Sequence, residues 1–454
     1  MLPTSSSLTA TQWTQACLNI QDGGLGLFNH VDIGPAAFAA SLTECLHSLS
    51  TAIPHIDSLI LQQDPSPTQT IQDYHGCIDF VSKFDPTVTL HTARNIKPSN
   101  DNTVQKQLSE KVTSKRYNEL LSSMQDTSDI AWITSLTHPA AGLWLEYAPK
   151  SIPLSLPSTH FTVALCHRLR VPHPSITPGL TCDCTRKSKI DSHGLHILSG
   201  CNKDACRVAL HDALKREFNT MFKWCGEVSI VEQRGAFQGI NPDDHRRPDI
   251  SIHIPGEPII FTDISVTCPI PISTSTALSR KDAFTPGRAA LVAQKRKMDE
   301  YGAVSTAVGA KFRPLIFELT GRPNNDINSV IKSFAEKQAI SQGTRWDVVY
   351  RYWFARISVT FQFYTAAAIL HRTRAIIQRA TSATRNISDD TVNAFQFITA
   401  FSAATTRNLG TGGTASWSTS IPRLSADHHH QASSSRGHHP QRRTVAIEGS
   451  TAIR

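Results

Sequence analysis

Apolar positions recur at two different spacings along this chain, and the switch between them divides it into zones. Between Gln105 and Met124, the residues Leu108, Val112, Leu120, Leu121 and Met124 fall at helical spacing, the signature of one buried helix face. Phe161 to about Leu169 predicts a short apolar helix, and Cys206 to about Phe222 a longer one. The period then shortens. Val228–Val231, Asp249–Ile254 and Ile259–Val266 are brief apolar runs that predict strands. Ala289 to about Tyr301 returns to helix, and Pro314–Leu319 is a final apolar run. The order α-β-β-β-α-β predicts a mixed sheet flanked by helices. From residue 327 to about 408 the spacing is helical again, with Trp346, Val349, Trp353, Ile357 and Phe361 in phase and Arg345, Arg351, Arg356, Arg372, Arg374 and Arg379 among them.

Punctuation supports the same division. Six prolines between Pro149 and Pro178 mark an extended bridge, because proline stops helices and stiffens connections. After about Thr411 the chain is rich in Ser, Thr, Gly and His, including His428–His430, a composition that predicts a disordered tail. The expected fold class is α+β and multidomain. It comprises a helical region at 1–160, a linker with a cysteine cluster at 161–205, a mixed sheet with flanking helices at 206–325, helices at 326–408 and the tail at 409–454. The string Gly23-Gly24-Leu25-Gly26-Leu27 lacks the Lys-Ser/Thr of a phosphate loop and reads as a turn.

Composition narrows the choice of partner. Lys and Arg number 45 against 37 Asp and Glu, a net charge of +8, with pI near 9.0. That balance suits a polyanion, although the charge is spread evenly and marks no single site. No run of eighteen apolar residues is present, so no membrane span is expected. The first residues lack the basic and apolar segments of a secretory leader. The ten cysteines are therefore expected to be reduced, and clustered ones read as metal ligands before disulfides.

Two constellations carry chemistry. In the first, Cys182 and Cys184 are followed by His196 and Cys201. Three thiolates and one imidazole within a short segment suit tetrahedral Zn²⁺, and a full set of four predicts a structural ion. Gly194 and Gly200 are expected to supply the turns, and His193 and Cys206 are alternative ligands. In the second, Asp249 follows Arg247-Pro248, Asp263 lies inside the next apolar run, and Lys297 sits on the following helix. A lone Asp in an apolar strand is costly to bury unless paired or metal-bound. Two on adjacent strands can share one Mg²⁺, which would activate water for attack on a phosphodiester, with Lys297 as the charge stabiliser. The same residues are also compatible with a turn-starting Asp249, an edge-strand Asp263 and a solvated helix face at Lys297. Glu232, ending the preceding strand, is a further candidate carboxylate. His211-Asp212 on the preceding helix is a candidate for orienting a phosphate or water.

Together these residues resemble the C-terminal half of site-specific non-LTR (LINE-type) retrotransposon proteins, in which a CCHC knuckle precedes a restriction-like endonuclease of the PD-(D/E)xK class. Cys182, Cys184, His196 and Cys201 fall on the knuckle, His211-Asp212 near an Arg-His-Asn signature, Pro248-Asp249 and Asp263 on the PD…D pair, and Lys297 with Tyr301 on a downstream lysine-tyrosine element. Upstream, Gly23–Leu27, Ala36–Ser41, Ala141–Leu145 and Phe161–Leu169 resemble the region after the polymerase thumb, so the likeness runs over roughly residues 20 to 380. The resemblance implies a nuclear, Mg²⁺-dependent endonuclease that nicks target DNA to prime reverse transcription, with a Zn²⁺ knuckle gripping DNA or the element RNA. His211, Arg247, Lys295 and Tyr301 are then expected to contact nucleic acid. No Tyr/Phe-x-Asp-Asp box lies between apolar strands, so copying of RNA is not expected of this chain. Leu210 stands where the family has Arg, Glu300 where it has a second Lys, and Ser265 where D-x-K would place its lysine. Those departures leave open the alternative of a catalytically inactive nucleic-acid-binding remnant.

Overall fold

The computed structural model describes residues 8–53, 56, 68–97, 103–149, 151–177, 179–203, 206–271 and 278–382. The expected tail and the helical stretch expected after 382 lie outside them. Most of the N-terminal helices begin on side-chain caps that satisfy otherwise orphaned backbone N–H groups. In α1 (Ala10–Ala16) Thr9 and Gln12 form a reciprocal capping box. Asn29 caps α2 (His30–Ala52), Thr89 caps α4 (Leu90–Arg94) and Thr103 caps α5 (Val104–Ser123). With α3 (Gln69–Ser82), α2, α4 and α5 enclose a core of Ala36, Ala39, Tyr74, Ile78, Leu108 and Val112.

The glycine-rich string is a turn held by a buried arginine. Gly23 adopts φ +89°, and a Cβ on Gly24 would lie 2.0 Å from the Leu18 carbonyl oxygen. Arg168 ends α8 (Ser158–Arg168) and is 2% exposed. Its guanidinium donates to the carbonyls of Gly24 (2.9 Å), Ala141 (3.1 Å) and Ile20 (2.6 Å). Ala141 lies in α7 (Pro139–Glu146), which follows α6 (Thr127–Leu136). One side chain thus joins three segments distant in sequence.

The sheet contains β1 (Val228–Val231), β2 (Ile250–His253), β3 (Ile260–Thr267) and β4 (Lys311–Glu318), in that spatial order. β1, β2 and β3 pair antiparallel, whereas β3 and β4 run parallel. A parallel neighbour requires a crossover, and α11 (Arg288–Ala307) supplies it, preceded by the short α10 (Arg280–Ala283). Glu318 at the end of β4 accepts the Ala290 N–H at 3.0 Å, so a buried carboxylate caps α11 from outside the helix and sets its register on the sheet.

Alternation along the strands divides the two faces. Ile250, Ile252, Ile264, Leu315 and Phe317 pack against α9 (Cys206–Trp224), α12 (Asn325–Gln342) and α13 (Trp346–Ser382). On the other face Phe261 and Phe312 meet Tyr301 of α11. The C-terminal helices and α7 therefore complete the core of the sheet. Met1–Arg385 forms one compact unit. Among the described residues no helix is long and apolar enough to cross a membrane.

Arg168→Met should destabilise the fold by about 3 kcal/mol or more, because it strands two buried carbonyls and a half-buried one that now face a charged donor. Denaturant titration checks this, and a midpoint equal to wild type would refute it. A second expectation concerns acid. Burial lowers the imidazoles of His167 and His173 to about 4. The unfolded value is about 6.5, so the unfolded chain binds more protons between the two. Stability contributed above pH ~6.5 is lost as the pH falls through that window, by about 2 kcal/mol per histidine at about pH 5. Urea midpoints at about pH 7.5 and about pH 5, compared with those of a His167→Gln/His173→Gln variant, measure the effect; equal pH sensitivity would rule it out.

Candidate active site and metal centre

Strand register explains how residues thirteen positions apart meet. Ile250 pairs with Thr262 in the antiparallel ladder of β2 and β3, and extending that register by one residue sets Asp249 opposite Asp263. Val231 pairs with Ile250, so the same extension sets Glu232 opposite Asp249, whose carbonyl accepts the Glu232 N–H at 3.0 Å. Three acidic residues thus occupy one row across three strands, where cross-strand neighbours interact.

Each carboxylate has its own partners. Oδ2 of Asp249 accepts the backbone N–H of Ile264 at 2.7 Å and lies 3.0 Å from Nε2 of His211. Asp263 is 7% exposed and meets Nζ of Lys297 with both oxygens at 3.2 Å. Ser265 Oγ donates to it at 3.1 Å. Burial, followed by repulsion from Asp249, pushes the Asp263 carboxyl up, with Lys297 and Ser265 opposing the rise. The hydrogen bond to Asp249 raises the His211 imidazole against the opposing effect of burial. Glu232 adopts φ +49°, a left-handed conformation costly for a side-chain-bearing residue, and its carboxylate pairs with Lys215 at 2.5 Å.

Lys215 is the group that pattern reading did not single out. It lies one helical turn after His211 on α9, its side chain is 8% exposed, and it bonds Asp212 (3.0 Å) as well as Glu232. The available signal was spacing, since i and i+4 share a helix face. Leu210, by contrast, is buried in the core between α9 and the sheet.

The remaining sequence candidates divide. Arg247 is half-exposed, 3.8 Å from Glu232, and Lys295 is exposed on α11. Tyr301 departs from the expected role in nucleic-acid contact: its ring is 7% exposed, stacked on Phe312 and packed with Phe237 and Phe261. An apolar helix face drew it inward. Arg246, between that cluster and the solvent, lies 5.8 Å from the ring centroids of both Phe237 and Tyr301, and its guanidinium chelates Asp244.

The cysteine cluster forms a separate centre. Ligand atoms of Cys182, Cys184, His196 and Cys201 all lie within 4.8 Å of one another. Cys182 and Cys184 sit on a tight β-turn excursion closed by the Thr181–Lys189 bridge and the Cys182 N–H to Ser188 carbonyl bond. Asp191 gathers the N–H groups of His193, Leu195 and His196 on its carboxylate, which fixes the start of the single π-turn that carries His196. Gly194 has φ +72° as expected, whereas Gly200 lies inside that turn without a left-handed φ. The alternatives fall outside the set. His193 belongs to the Asp191 turn, and the Cys206 sulfur lies 3.7 Å from His371. The three thiols are buried, and burial lowers the His196 imidazole, favouring the neutral form that ligates. This donor set can hold a metal such as zinc.

No family model matches this chain, and no curated protein matches it.

If metal organises the cluster, stripping it with a chelator should speed backbone exchange at residues 180–201 more than in β3 and β4. Hydrogen–deuterium exchange reads this directly, and unchanged protection across the cluster would rule out a structural ion.

Proposed function

We propose that the chain is a Mg²⁺-dependent endonuclease of the PD-(D/E)xK type that hydrolyses phosphodiester bonds in DNA. The observation that carries this reading is the pairing of Asp249 and Asp263 across adjacent strands, with Lys297 on the buried carboxylate. The donor set fits a hard divalent cation: repulsion between the two carboxylates is offset in part by Lys297, and Asp249 uses Oδ2 for both of its described hydrogen bonds. Asp249 and Asp263 would hold the ion. When bound, it supplies Lewis-acid neutralisation of the phosphate and a water acidic enough to ionise. The chain's own groups do the rest. The Ile264 N–H and the His211 imidazole orient Asp249, Lys297 would stabilise the charge that grows on the scissile phosphate, and Glu232 adds a third carboxylate to the row. Hydroxide addition to phosphorus and departure of the 3′ oxygen, which takes up a proton, would leave a 3′ hydroxyl and a 5′ phosphate.

The resemblance in motif order supports assignment of this nuclease to a retrotransposon protein acting on chromosomal DNA in the nucleus. The cysteine cluster is then a Zn²⁺ knuckle, and DNA or the element RNA its partner. A second reading has a specific observation behind it. Leu210, standing where the resemblance expects an arginine beside the phosphate, is buried in the core, as expected of a remnant that binds nucleic acid without cutting it.

Nicking of supercoiled plasmid separates the two. Mg²⁺-dependent nicking should be abolished by Asp263→Asn and reduced about 100-fold to 1000-fold by Lys297→Ala. Salt-sensitive DNA binding without Asp263-dependent cleavage establishes the remnant instead.

A further inference from the structure

The metal centre is not finished by its four ligands. Arg372 lies far along the chain on α13 and is 1% exposed. Its Nη2 is 3.1 Å from the Cys182 sulfur, and the same nitrogen pairs with the carboxylate of Asp183, the residue between two ligand cysteines. Asp183 also pairs with Arg379 and with Lys203 at 2.7 Å, two residues after Cys201. A dication with three thiolates and a neutral imidazole carries one net negative charge, and Asp183 adds another. A buried guanidinium is costly unless its donors are matched. Here one guanidinium nitrogen is matched by a sulfur on one side and a carboxylate on the other. Ala366, Ile369 and Ile376 of the same helix pack against Cys182, Cys184 and Cys201, so the helix reaches the centre with its apolar face and its charge together.

We propose that Arg372 is a positioning residue of the metal centre, stabilising the metal-bound thiolates from outside the coordination sphere. The proposal rests on the cysteine cluster holding a metal and is independent of the nuclease reading. Outer-sphere partners of this kind are worth about 10-fold to 100-fold in metal affinity.

The test uses the full chain loaded with Co²⁺, whose thiolate charge-transfer absorption reports the ligand set, followed by displacement with Zn²⁺ against a competing chelator. Arg372→Met is expected to bind Zn²⁺ about 10-fold to 100-fold more weakly, with far-ultraviolet circular dichroism unchanged and part of the loss restored in Arg372→Lys. Arg372→Met with wild-type Zn²⁺ affinity overturns the proposal and leaves Arg372 as a docking residue for α13. Should Arg372→Met fail to fold, Arg372→Gln retains a donor without the charge, and wild-type affinity in that variant overturns the proposal equally. Wild-type protein that takes up neither Co²⁺ nor Zn²⁺ at the cluster sinks the metal reading and this inference with it.

Discussion

The ladder between β2 and β3 is the constraint on which the candidate site depends. Only one register sets Asp249 beside Asp263, and a slip of one residue would turn every side chain of the strand to the opposite face. Ile250, Ile252 and Ile264 oppose such a slip, because it would lift them out of the core they share with α9. Asp249 reinforces the register by accepting the Ile264 N–H with its side chain. The apolar face thus determines where the acidic row falls, although the two sets of residues never share a face.

The position of Lys297 follows from a similar indirect control. Its helix is anchored at the start by Glu318 and at the middle by Tyr301, both buried. The cap comes from β4, the strand parallel to the one that carries Asp263. Helix phase and strand register are therefore coupled through one carboxylate, and the ammonium arrives over Asp263 as a result.

Strands and flanking helices were legible in the sequence because their apolar periods differ, and their observed bounds fall within a few residues of those read from pattern, except that α11 runs on to Ala307. The cysteine–histidine cluster was legible because it is local: a short segment must fold on itself to bring Cys182 and Cys201 together. The spacing of Asp249 and Asp263 was legible for the same reason, as a hairpin-scale separation. Lys215 was not, because its spacing from His211 shows a shared helix face but not whether a lysine there folds onto two carboxylates or stays in water. Tyr301 was misread for the converse reason, since its ring belongs to an aromatic cluster assembled from four separate segments. Arg168 and Arg372 lie further still from their partners in sequence, and only tertiary packing brings them there. The merging of the C-terminal helices with the sheet core escaped the pattern because periodicity tells which face is buried, not against what.

The longest helix has a mechanical consequence. α13 runs without a break for 37 residues, about 55 Å at 1.5 Å per residue. Its first half, with Trp353 and Phe361, seals the sheet, and its second half, with Ile369 and Arg372, closes over the cysteine centre. The rod carries two loads at a set angular offset. Inserting a single residue between Phe361 and Ile369 would swing the far load by about 100°, so the spacing between the two ends of this helix is as much a part of the protein's design as any ligand it holds.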